Sequence, residues 1–405
     1  MESLVGSLAA SEGATTLSSA DAATLLTLLE RKAELPPPRQ SGFRVVAELT
    51  YDVETGLGVD APATLPSSDY RQPRDSSPQW GKWARDSAAG GQAPERVFGA
   101  NYEGGPHIGV CCCAERCALG VLRLRERRGQ SIKLRCCYIA TDSAVCITPG
   151  ALCREFLHSI AGDNLRVVLA ADTPQTVADL TALVATNASD ADPSTPKAYH
   201  VLPEAGNGSA GDEGLQIMAL GTLWPLASVY SLLDASQQLT LGASLEPSIA
   251  ATLAESLPAE LVAAHAIAVA ATSRDDRDAL HRMRYAAVAV DAVGAVIATS
   301  HQRKAVEYGC TPDPVCNLIA LVETVEAGAT PVAHILLVDQ FGVCHAPWSA
   351  ARALLSEHGG LDAVKCWAHV VSEGELPDDD GSVELQSIAV GDLLPSGGLI
   401  FCDHK

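Results

Sequence analysis

The sequence predicts an α/β protein built from two tandem copies of one layered domain, and three observations carry that expectation. The chain has 405 residues, more than one hydrophobic core ordinarily serves. Strand-like and helix-like segments alternate along it, the pattern of helices layered on a sheet. Each half also ends alike, with Ala219-Leu220-Gly221-Thr222-Leu223-Trp224-Pro225 in the first and Ile388-Ala389-Val390-Gly391-Asp392-Leu393-Leu394-Pro395 in the second. Such self-similarity indicates duplication.

Taken in order, Ser19 and Asp21 precede an apolar-periodic run, 22–29, that reads as a capped helix ending before Pro36-Pro37-Pro38. Residues 43–49 and 96–100 are rich in strand formers, and the Pro/Ser/Asp/Gly-rich stretch 55–94 between them reads as an insertion or loop. A helix follows at 113–128, with Ala118, Val121 and Leu122 at helical spacing and arginines at its C-terminal end, where the helix dipole favours them. A strand at 134–140, a helix at 151–160 and a strand at 166–170 continue the alternation. The second half repeats it: a helical run over 249–272 interrupted by Pro258, strands at 285–291 and 295–300, a helix at 317–326, a strand at 333–338 and a helix at 349–358. The expected division is a flexible N-terminus 1–18, a first domain 19–230 with insertions at about 55–94 and 186–214, and a second domain 231–405.

Composition narrows the function. With 47% hydrophobic and 19% charged residues, the chain is globular. Its 28 basic against 49 acidic residues give a net charge of −21, which repels phosphate backbones and anionic membranes. Aromatics at 4% leave little for base stacking. The longest apolar stretch, 261–272 with His265 inside it, is too short to span a bilayer. The acidic N-terminal segment has neither a basic n-region nor an apolar core, so the expected location is cytoplasmic, and the 13 cysteines are metal ligands or buried thiols. The basic stretch Arg123, Arg125, Arg127, Arg128, Lys133 and Arg135 reads as a helix end and a solvated turn, and His107 as a solvated loop residue.

Eight of the cysteines fall between Cys111 and Cys153. Cys113-Ala114-Glu115-Arg116 sits at a predicted helix N-terminus, a position that stabilises thiolates, and Thr148-Pro149-Gly150-Ala151-Leu152-Cys153-Arg154 opens another helix. Two helix ends can thus aim thiolates at one point. A (His/Cys)-x-Glu segment followed by a Pro-Cys-x-x-Cys segment is the zinc deaminase pattern, and Asn101-Tyr102-Glu103 lies just upstream.

On these motifs the chain resembles the cytidine deaminase family, over about residues 20–228 and more weakly over 245–400. The resemblance implies two tandem three-layer domains, each a mixed five-stranded sheet flanked by helices. It also implies zinc-dependent hydrolytic deamination of cytidine or deoxycytidine to uridine or deoxyuridine, a pyrimidine salvage reaction. Asn101 and Glu103 would grip the ribose hydroxyls, Cys113 and Cys153 would hold zinc, and Glu115 would shuttle the proton. The partner would be a small nucleoside rather than a polynucleotide or a membrane, with homodimer formation left open.

One departure matters. Gly150 stands where the family has the first cysteine of its pair, so a third ligand is unassigned, with Cys146 as the candidate and Cys112 and Cys111 behind it. The same residues are also open to the reading of buried thiols plus a surface glutamate, in a pseudo-deaminase that binds or scaffolds. In the second copy Ala305-Val306-Glu307, Val315-Cys316-Asn317-Leu318 and Pro347-Trp348-Ser349-Ala350-Ala351-Arg352 align with the three motifs and keep no ligand set, which makes that copy structural.

Overall fold

The computed structural model describes residues 17–55, 94–104, 111–125, 130–186, 214–323, 331–358, 360–371 and 383–395. The expected insertions at 55–94 and 186–214 lie almost wholly outside these residues, as do 1–16, His107, Arg127 and Arg128. By contact the chain divides into two compact units, residues 1–147 with 165–218, and residues 148–164 with 219–405. No described helix is long and apolar enough to cross a membrane.

The first half opens with helix α1 (Ser19–Glu34). Ser18 caps it: its hydroxyl accepts from the Asp21 amide at 3.1 Å while the Asp21 carboxylate accepts from the Ser18 amide at 2.8 Å, the reciprocal box expected of Ser-x-x-acid. Then come β1 (Val45–Thr55), β2 (Glu95–Ala100), the short pair β3 (Tyr102–Glu103) and β4 (Cys111–Cys112), α2 (Ala114–Arg125) and β5 (Gln130–Thr141). Helix α3 (Ala151–Ala161), β6 (Arg166–Ala170), α4 (Pro174–Thr186), β7 (Leu215–Ala219) and α5 (Leu220–Leu223) complete it. The five-stranded sheet has the order β2-β1-β5-β6-β7. Strand β1 pairs antiparallel with β2 and β5, and β5 pairs parallel with β6, as a strand–helix–strand crossover allows.

Alternate residues of these strands serve opposite faces. Val46, Cys136, Tyr138, Ala140 and Val168 pack with Leu25 and Leu28 of α1 and Leu180 of α4. Ala47, Leu49, Cys137 and Ile139 point to the other face, where α2 packs on β1 and β2. The buried Lys32 ammonium donates to Thr141 O at 2.8 Å and pairs with Asp172 at 2.6 Å and Asp142 at 2.9 Å. A lysine in a core survives only when so compensated.

The second half runs α6 (Ala235–Ser256), α7 (Ala259–Thr272), β8 (Tyr285–Val290), β9 (Val296–His301), α8 (Pro314–Glu323), β10 (His334–Asp339), β11 (Cys344–His345), α9 (Ser349–Glu357), β12 (Lys365–Val371) and β13 (Val383–Ala389). Pro258 separates α6 from α7. Read from its other edge, the sheet order is β9-β8-β10-β12-β13 with β11 paired to β10 off this path, six strands against the five expected; counting main strands along the chain, both halves give 2-1-3-4-5. The pair senses repeat as well: β8 is antiparallel to β9 and β10, and β10 is parallel to β12. Each half is therefore an α/β layer structure on a mixed sheet, and the topology recurs strand for strand.

The contact division falls at 218/219 and places 148–164 with the second unit. Helix α3 packs on α9 and α5 there, and polar bonds tie it down. Arg154, with its side chain buried, donates through Nε to Pro149 O (2.7 Å) and through Nη1 to Leu223 O (2.8 Å) and Pro395 O (2.9 Å). Arg352 repeats the scheme, with Nε on Pro347 O (2.6 Å) and Nη1 on Pro225 O (2.7 Å) and Leu393 O (3.2 Å). Each arginine turns back onto the proline that precedes its helix, and both reach the repeated chain ends that flagged the duplication.

Candidate metal site

The site is set by how closely α2 approaches the sheet. At Gly99 in β2 a Cβ would fall 2.2 Å from Ala114 O and 2.4 Å from Ala118 N, so only glycine lets the first turn of α2 rest on the strand. This explains an isolated glycine inside a strand pattern, a mark of close backbone approach. Cys113 opens the helix, its carbonyl accepting the Cys117 amide at 3.0 Å. Glu115 falls in the first turn and is buried. Gly150 caps α3 with extended backbone, φ −63° and ψ 159°, which places Cys153, itself fully buried, in the first turn.

Cys113, Glu115 and Cys153 each offer a donor atom that a metal ion could take. Arg116 Nη2 lies 3.6 Å from Cys113 Sγ and donates toward it, a cation beside a sulfur that carries negative charge when it ligates a metal. Behind them Cys137 is wholly buried, and its thiol is pushed well up, by burial first and then by the Glu115 charge. A neutral, apolar sulfur thus floors the site.

The other sequence-selected residues are placed differently. Cys146 turns its Sγ to Leu169 O at 3.6 Å and is not among the three potential metal ligands. Cys111 approaches Gln40 at 3.9 Å, and Cys117 is pushed up to about 12 by burial and by Cys112. No disulfide joins any of the twelve described cysteines. Asn101 spends both ends of its amide on backbone: its Oδ1 accepts the Val45 amide at 2.9 Å and its Nδ2 donates to Phe43 O at 2.8 Å. Glu103 accepts from the Ser41 hydroxyl (2.7 Å), the Ser41 amide (2.8 Å) and the Gln40 amide (3.0 Å). Desolvation raises its carboxyl pKa, but the Ser41 and Gln40 bonds together outweigh it and leave it below the ordinary value. Both side chains hold the 40–45 segment beside β2 and β3.

Strand register corrects the alignment of the second copy. Val46 pairs with Ala100 and Ala286 with His301, and the next amides bond back alike, Asn101 to Val45 and Gln302 to Tyr285. Gln302 and Lys304, not Ala305 and Glu307, therefore occupy the positions of Asn101 and Glu103. Likewise Asn317 N bonds Asp313 O as Cys117 N bonds Cys113 O, which puts Asp313 at the Cys113 position and Val315 at that of Glu115, two residues before the alignment expected. Sequence pattern misses this because Asp313-Pro314 caps a helix as well as Cys-Ala does. Lys304 is buried and pairs with Asp275 at 2.8 Å. Among the described residues, no set of three potential metal ligands gathers in this copy.

No family model and no curated protein matches the chain. Among solved structures, the cytidine deaminase from Burkholderia pseudomallei is similar at 15% identity, covering 50% of this chain and 95% of that one, with a TM-score of 0.27. The cytidine deaminase from Mycobacterium tuberculosis is similar at 22% identity, covering 33% of this chain and 92% of that one, with a TM-score of 0.24. For that from Mycobacterium leprae the identity is 22%, the coverage 32% and 93%, and the TM-score 0.23.

Proposed function

We propose that the first copy, residues 19–230, is a zinc-dependent hydrolase that converts cytidine or deoxycytidine to the uridine with release of ammonia. The observation that carries this is the donor set Cys113, Glu115 and Cys153, with Glu115 and Cys153 each in the first turn of a helix. The donor types fit zinc, which takes thiolate sulfur and carboxylate oxygen. Reserving Glu115 for proton transfer leaves two thiolates, one short of the three protein ligands usual at a catalytic site. Zinc held by Cys113 and Cys153 would supply the Lewis acidity that brings the pKa of an attacking water toward neutrality. Glu115, buried in the first turn of α2, takes a proton from that water and returns it to the ring nitrogen, then carries the second to the leaving amino group. Arg116, 3.6 Å from Cys113 Sγ, would favour the anionic sulfur that a metal takes.

Free nucleoside is the proposed partner, since the net charge of −21 opposes polynucleotides, and a cytoplasmic location accords with reduced cysteines. The test is to measure zinc by elemental mass spectrometry and uridine formation from cytidine on the same purified protein. Glu115→Gln should lower uridine formation by about 100-fold or more with zinc retained. Protein that holds far less than one zinc per chain and forms no uridine sinks the proposal. A second reading, a pseudo-deaminase that binds or scaffolds, is favoured by Gly150 and by the ligand-poor second copy. Under that reading Glu115→Gln changes no activity.

A further inference from the structure

Within the second unit a serine, a histidine and an aspartate line up beside a cavity, and none of them belongs to the thiolate site. Strand β10 ends in Asp339, and the tight hairpin 339–343 returns the chain into β11, which places His345 opposite Leu337. Gly342 takes φ +85° to make that turn. Asp339 is fully buried, and its Oδ1 accepts the amides of Phe341 (2.8 Å) and Val343 (3.0 Å). Its Oδ2 accepts the Tyr230 hydroxyl at 2.7 Å and faces His345 Nε2 at 3.5 Å. On the far side of the same ring, His345 Nδ1 lies 3.1 Å from Ser228 Oγ. A carboxylate only accepts, so the ring proton belongs on Nε2 and the Nδ1 lone pair receives the serine hydroxyl.

Two further features point to chemistry rather than packing. Leu226, two residues before the serine, has φ +48°, a strained conformation for a branched residue and one that collects at functional sites. Buried Arg352 secures it, with Nη1 on Pro225 O and Nη2 on Leu226 O at 3.2 Å, and its guanidinium stacks 3.8 Å over the Trp224 ring. Ser228 and Arg352 also line one cavity of about 200 Å³, together with Trp224, Tyr285, Trp348 and Glu155. The Tyr230 amide donates to Ser228 Oγ at 3.2 Å, which leaves the hydroxyl proton to point at His345.

We propose that Ser228, His345 and Asp339 form a nucleophilic serine site whose substrates are esters with short acyl groups. Ser228 Oγ attacks the ester carbonyl while its proton passes to His345 Nδ1; Asp339 orients the ring and stabilises its positive charge. The ester C–O bond breaks, and the leaving alcohol takes the proton from His345. Water repeats the sequence on the acyl-serine, releasing the acid and restoring Ser228. The cavity, about 200 Å³, favours small acyl groups, and Arg352 puts a positive charge in its wall.

The full chain with p-nitrophenyl acetate tests this. A burst of p-nitrophenolate should accompany an acetyl adduct that mass spectrometry maps to Ser228, and a fluorophosphonate should label the same residue. Ser228→Ala should abolish both, and His345→Gln should slow labelling by about 100-fold or more. Ser244→Ala, on the exposed face of α6, should label as the parent does. A metal chelator should leave labelling unchanged, which separates this site from the proposed deaminase. Circular dichroism confirms that each variant folds. An adduct on another residue, or unchanged labelling of Ser228→Ala, overturns the proposal.

Discussion

At Gly150 a Cβ would meet nothing within 4 Å, and the backbone there is extended and open to any residue. A thiol at that position therefore has room. Gly150→Cys should raise zinc retention toward one per chain after dialysis, measured by elemental mass spectrometry. Adding Cys153→Ser to that variant should lower it again. At this scale the sequence is most legible: the Cys-Ala-Glu segment and the helix start around Cys153 single out Cys113, Glu115 and Cys153, and these three offer donors that could hold a metal. The side-chain engagements of Asn101 and Glu103 with the 40–45 backbone are not legible, because they depend on which strand lies beside them.

Between elements, the contact of β2 with α2 sets the thiolate geometry. Gly99→Ala forces the helix start away from the strand, since both clashing atoms are backbone. Overpacking of this kind costs about 1–3 kcal/mol, so the urea midpoint should fall, and zinc retention should fall with it. Ser18→Ala removes the cap of α1 and should cost about 0.5–2 kcal/mol in the same measurement while leaving zinc retention unchanged. Helix and strand positions are readable from periodicity and caps, as at 151–161 and 166–170. Helix α4, strands β7, β12 and β13 and the short pairs are not. Helix α4 lacks charge at either end, and its one start signal is Thr173, whose hydroxyl accepts the Thr176 amide at 3.0 Å ahead of Pro174; the two-residue strands are too short to show alternation.

For the whole molecule, acid stability follows from buried histidines. Burial pushes His369 down to about 3, aided by His345 and His265, and its Nδ1 accepts the Cys344 amide at 2.8 Å. Burial lowers His265 as well. His369 stays neutral when folded and takes a proton near the ordinary 6.5 when unfolded, and His265 is shifted in the same direction, so their contribution is present above that pH and is lost as pH falls below it. Asp313 opposes them: burial raises it to about 6, so its contribution is full below its ordinary 3.8 and is lost as pH rises through 6. The urea midpoint should therefore drop between pH 7.5 and 5.5, less steeply in His369→Gln and more steeply in Asp313→Asn. The duplication itself is legible in the two matching chain ends, whereas the grouping of 148–164 with later residues is not, because the carbonyls that Arg154 binds are distant in sequence.

Those carbonyls also impose an order in time. Arg154 waits 241 residues for Pro395, and Arg352 waits 41 for Leu393, so a ribosome making this chain releases both guanidinium groups before their last acceptors exist. Helix α3, which carries Cys153, acquires its full set of bonds only when residues 393–395 emerge. The helix that supplies the second thiolate is thus finished by the final segment of the chain, and a nascent chain halted before that point holds an arginine short of its native partners.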